Sequence, residues 1–199
     1  MLEKLSRIGI AFAIIAISAT SLAGVTAASS GCTIAGSAGA TLTIEEFSDF
    51  ECPYCAKGSN TMKEVLKNYS GKVNLVFRNL PLSAHQHSLA AAKAFSAVCL
   101  QSPEMAYSFQ KEIFKHQDKL TSEGAPYLYE VAESLGVDLP QMKSDMNGEV
   151  VAKSIAEDQR LAASHNFKGT PSFMIGTEAL VGAQPYDEFK KIIDRQLGQ

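Results

Sequence analysis

The chain has 199 residues, is 46% hydrophobic and carries a formal net charge of −3. A mildly acidic chain without a basic stripe offers no electrostatic footprint for nucleic acid. Its length suits one domain whose apolar core folds without a disulfide framework, so its four cysteines ask for another explanation.

Residues 1–27 have the layout of a secretory signal peptide. Lys4 and Arg7 make a charged start, residues 8–17 are almost wholly apolar, and small residues follow as far as Ala28. Val25-Thr26-Ala27 suits cleavage after Ala27. Ser18, Thr20 and Ser21 dilute the apolar run, which argues against an uncleaved membrane anchor. Either outcome places the working part in the periplasm or at the outer face of the cytoplasmic membrane, where disulfides persist. Residues 28–41 are rich in Ser, Gly and Ala and read as a flexible lead-in.

The apolar residues Leu42, Ile44, Phe47 and Phe50 define a buried strand over 42–50. It runs directly into Cys52-Pro53-Tyr54-Cys55, then a helix over 53–70 carrying Met62, Val65, Leu66 and Tyr69 and ending at Gly71. Pro53 belongs in a first helical turn, where its missing N–H costs nothing. Cys52 therefore meets the unpaired N–H groups and positive end of that helix, which favour thiolate over thiol. Lowering a cysteine pKa from ~8.5 to ~4 would favour the thiolate by about 6 kcal/mol. No second C-x-x-C exists to complete a zinc site.

Residues 73–77 read as a second strand, and the long connection implies a right-handed parallel crossover. Ser83-Ala84-His85-Gln86 reads as a capping box opening a helix that runs to about residue 101. Ser102-Pro103 starts the next helix. Leu128, Val131 and Leu135 mark a third that ends at Gly136. A short piece over 140–146 precedes a helix over 149–165. Strands at 172–175 and 179–181 and a last helix at 186–197 complete the order β-α-β, a helical block, then β-β-α. His85 and His87, at i, i+2 on a helix, point apart and read as capping-region or surface residues. His116 and His165 suit favourable contacts at helix ends.

The stretch from Phe47 to Cys55, the Gly169-Thr170-Pro171 turn, the helical block and the secretory start together resemble the DsbA-like thiol–disulfide oxidoreductases, an extracytoplasmic branch of the thioredoxin-fold superfamily. The resemblance covers residues 42–199. It implies an α/β thioredoxin fold with an all-helical insertion at about 83–166. C-P-Y-C alone also occurs in glutaredoxins, which lack both the long insert and the signal-like start. By the resemblance, Cys52 is the attacking sulfur and Cys55 the resolving one. Pro53 and Tyr54 support them, and Pro171 is the family's cis-proline. Thr170 then offers its backbone N–H and C=O to an extended substrate peptide, with little demand on sequence.

Glu46 stands where these folds carry a buried acid able to relay the proton of Cys55, although a one-residue change of register would turn Glu45 inward instead. Tyr54 departs from the histidine of strong oxidases, which leaves a reductase or isomerase open. Cys32 and Cys99 are candidates for a structural disulfide contributing roughly 4 kcal/mol. Against it stand the flexible reading of Cys32 and the look of Cys99 as a small core residue. Lipidation at Cys32 has weaker support, because Ser29-Ser30-Gly31 lacks the usual aliphatic residue.

The expected function is to introduce disulfides into reduced, unfolded exported proteins. No metal or organic cofactor is needed, because the redox pair belongs to the protein. A membrane redox partner would reset it. The lead-in cannot supply the extra N-terminal domain of isomerase-type dimers, so a monomer is expected. Two other classes remain open: an extracytoplasmic copper-binding protein using Cys52 and Cys55, and a non-catalytic binding domain stapled by that pair.

Overall fold

The computed structural model describes residues 31–37 and 39–199. The expected signal peptide lies outside the described residues. Five strands form one sheet in the order β1-β3-β2-β4-β5, with β1 Cys32–Ala35, β2 Leu42–Ser48, β3 Val73–Asn79, β4 Ser172–Ile175 and β5 Glu178–Val181. Only β2 and β3 run parallel, joined by helix α1 (Pro53–Asn68); the other neighbours are antiparallel. Six helices stand between β3 and β4: α2 Ser88–Gln101, α3 Pro103–Lys115, α4 Gln117–Glu123, α5 Ala125–Ser134, α6 Leu139–Asp145 and α7 Glu149–Ser164. Helix α8 (Tyr186–Gln196) closes the order.

Period-two alternation in β2 decides what each sheet face holds. Ile44 and Glu46 are fully buried, Ile44 within the larger core shared with α1, α2, α3, α5 and α8. Phe47 points the other way and packs with Ala162 of α7 and Phe167. Phe50 closes the larger core in an aromatic group with Phe77, Phe95 and Phe114, at ring separations of 5.2–5.5 Å. Gly58 lets α1 approach β4 closely. A Cβ there would stand 3.3 Å from both Phe173 and Pro171.

Two elements depart from the sequence reading. Residues 32–35 are a strand rather than part of a flexible lead-in. They pair with β3 across a bulge, and Cys32 is bonded to Cys99 on α2 with the Cα atoms 6.2 Å apart. The expected capping box does not start a helix either. Ser83 to His87 form turns, and α2 begins at Ser88.

On the α7 face, Arg78 reaches both Glu45 and the fully buried Asp158, the latter at 3.1 Å. Asp158 also accepts the Asn79 N–H at 2.9 Å. Arg78→Met should cost about 3 kcal/mol in a denaturant titration. That is the lower end for breaking a buried pair. Adding Asp158→Leu to that variant should recover part of the loss.

Candidate active site

Strand β2 ends at Ser48, and Asp49 to Glu51 turn the chain so that Cys52 becomes the N-cap of α1 and Pro53 its first residue. Both thiols are free. Cys52 is 5% exposed and Cys55, one turn deeper, is fully buried. The Cys52 Sγ lies 3.5 Å from the carbonyl oxygen of Thr170, and the Thr170–Pro171 bond is cis. The chain before β4 thus comes up against the sulfur through its backbone.

The Cys52 pKa is lowered to about 5, first by the hydrogen bond from the Cys55 thiol. Thr170 lowers it further. So do the Tyr54 and Cys55 N–H groups, which act close to Sγ although the Cys52 side chain completes no capping hydrogen bond. The helix tip therefore contributes as the sequence suggests, but the second sulfur contributes more. Cys55 moves the opposite way. Burial and the negative charge it shares with Cys52 push its pKa up. The two sulfurs are thus divided into one thiolate and one thiol, the division that sequential exchange requires.

Glu46, rather than Glu45, faces inward. It is completely buried, and burial pushes its pKa up to about 7. The Ser48 hydroxyl donates to Glu46 Oε1 at 3.0 Å and also acts on Cys55, which links carboxyl and deeper thiol through one side chain. Glu45 instead pairs with Arg78. Tyr54 is 58% exposed, with Lys57 Nζ 5.2 Å from its ring centre, so its side chain belongs to the rim of the site.

Three site residues escape the sequence reading. Asp49 is buried; its N–H donates to Cys55 Sγ at 3.4 Å and its carbonyl accepts the Cys52 N–H at 3.1 Å. Its carboxylate holds His85, which is therefore neither a helix-capping nor a free surface residue, at 2.9 Å. Gln117, at the start of α4, donates to the carbonyls of Phe50 and Cys52 at 2.8 and 2.9 Å. The one sequence hint for Asp49 is an acid at the exit of a buried strand; His85 and Gln117 come from segments far along the chain.

A family model described as Thioredoxin matches residues 29–195. The chain belongs to the thioredoxin family. Among similar proteins, the probable disulfide bond formation protein D of Bacillus cereus is 32% identical over 166 residues, covering 79% of this chain and 75% of that protein. The Na(+)/H(+) antiporter NhaA 1 of Mycobacterium sp. (strain KMS) is 28% identical over 157 residues, 77% of this chain. The match spans only 24% of the antiporter. The thiol-disulfide exchange protein alpha-DsbA2 from Wolbachia pipientis shares the fold with a TM-score of 0.74 at 22% identity, over 83% of this chain and 87% of its own. The thioredoxin fold with a helical insertion, expected from the DsbA-like resemblance, is the fold observed.

Proposed function

We propose that this chain is an extracytoplasmic thiol–disulfide oxidoreductase that introduces disulfides into reduced exported proteins. The observation that carries the reading is the pairing of a depressed Cys52 thiol at a helix tip with a buried, protonated Cys55 one turn deeper. In the oxidised state the pair is a disulfide. A substrate thiolate attacks the Cys52 sulfur, Cys55 leaves, and a mixed disulfide forms. A second substrate thiolate then displaces Cys52, which leaves as a thiolate. Glu46, through Ser48, returns a proton to Cys55, because a carboxyl with a pKa of about 7 gives and takes protons near neutrality. Thr170 and Pro171 hold the substrate backbone beside Cys52 in this scheme, since the Thr170 carbonyl already lies against Sγ. The periplasm or outer membrane face is the proposed location, with a membrane redox partner restoring the disulfide.

The same sulfur supports the donor direction. Moving Cys52 from its ordinary 9.0 to about 5 favours the reduced protein at pH 7 by about 3 kcal/mol, some 60 mV toward an oxidant. Equilibrating the Cys52/Cys55 pair with glutathione tests this. A potential nearer about −120 mV supports the disulfide donor, and one nearer about −270 mV identifies a reductant instead.

A further inference from the structure

His85 has no part in the exchange scheme, yet the site is built around it. Asp49 is shared between the imidazole, the Cys55 sulfur and the backbone of Cys52. Oδ2 takes His85 Nδ1 at 2.9 Å and the Leu82 N–H at 2.8 Å; Oδ1 takes the Glu51 N–H at 2.8 Å. The backbone of the same residue bonds Cys55 Sγ and the Cys52 N–H. The turn is tied down a second time where the His87 N–H donates to Glu51 Oε2. Such a pinned turn fixes the imidazole against the junction of β2 and α1 that carries Cys52, while the His85 side chain keeps 26% of its surface open for proton exchange with water.

The charged groups facing His85 are Asp49, Glu51 and Cys52, all from the junction of β2 and α1. His87, the other titratable group of the turn, lies against Gly124 at the head of α5. Asp49, first, and then Cys52 and Glu51 raise the His85 pKa, offsetting burial, which lowers it. Two of those charges are the same in either redox state. The Cys52 charge exists only when the disulfide is open.

We propose that His85, held by Asp49, takes up the proton that Cys52 does not keep when the pair is reduced, and gives it up when the disulfide re-forms. The step balances. A substrate dithiol delivers two electrons and two protons as it becomes a disulfide. The electrons open the Cys52–Cys55 bond, Cys55 binds one proton, Cys52 remains a thiolate, and the second proton goes to His85 instead of to water. Reoxidation by the partner returns both. His85 is thereby a positioning residue acting through charge on Cys52, and it supplies from a distant turn the cation that Tyr54, between the cysteines, cannot.

This inference rests on the proposed redox cycle of Cys52 and Cys55, and the test separates the two. The imidazole of His85 is titrated by NMR in the full chain, once oxidised and once reduced with excess dithiol. The His85 pKa should be higher in the reduced protein by about half a unit or more. By reciprocity His85→Gln should raise the Cys52 pKa by the same amount, read from thiolate absorbance, while His85→Lys should keep it low. Proton uptake on reduction near the His85 pKa should exceed one per two electrons in the native chain and fall to one in both variants. Equal His85 titrations in the two redox states overturn the inference while leaving the oxidoreductase intact. A pair that glutathione can neither open nor close overturns both.

Discussion

Replacing Cys55 with alanine should turn the protein into a trap that accumulates mixed disulfides through Cys52. With no second sulfur to displace the client, release depends on external thiol. Losing an aligned intramolecular nucleophile should slow that release by about 10²-fold or more. The variant also reports on how the thiolate is made. In the native reduced protein, a pKa of about 5 gives a thiolate-to-thiol ratio of about 100 to 1 at pH 7. Alkylation of Cys52 should therefore be flat above that value and fall tenfold for each pH unit below it. The hydrogen bond from Cys55 is the largest cause of the depression, so in Cys55→Ala the inflection should move up. It should still stop short of an ordinary thiol, because the N–H groups of residues 54 and 55 remain in place. Cys52→Ala should trap nothing, since the remaining thiol is fully buried and its pKa is pushed up. Non-reducing gels of acid-quenched samples, with clients released by dithiol, decide the matter. An inflection in Cys55→Ala unchanged from the native protein would mean that the helix tip alone ionises Cys52.

What the sequence could reveal of this site depended on how local its geometry is. Cys52, Pro53 and Cys55 were legible because three positions of spacing at a helix start fix their relation without help from the rest of the chain. Strand β2 was legible for its face but not its register. Glu45 and Glu46 compete on pattern alone, and the pairing of Glu46 with Phe77 and Phe173 turns Glu46 inward. Ser83 to Gln86 shows a local signal losing to a distant one. The residues satisfy a capping box, but Asp49 binds the Leu82 N–H and the His85 ring, and that contact holds the segment as a turn. Helix α4 was missed because only Leu120 of its residues is buried, which leaves no apolar period to read. Gln117, at its head, could be placed against Cys52 only by packing that spans 65 residues of sequence.

Breaking the Cys32–Cys99 bridge should be the most costly change made outside the redox pair. A cross-link of sequence separation 67 removes enough freedom from the unfolded chain to contribute about 4 kcal/mol in the chain-entropy model. Here it also anchors a four-residue edge strand that has β3 as its one sheet neighbour and a bulge in their pairing. So short a strand, with only Cys32 and Ile34 turned inward, offers little apolar area of its own to hold it there. The Cys32→Ser, Cys99→Ser double variant should therefore lose about 4 kcal/mol in urea. Hydrogen exchange at residues 32–35 should rise well before the rest of the sheet opens. The thiol–thiolate division at Cys52 and Cys55 should survive, because none of the groups that set it lies on β1 or α2. A double variant that keeps its stability while losing the low Cys52 pKa would reverse that assignment and make the bridge part of the redox machinery.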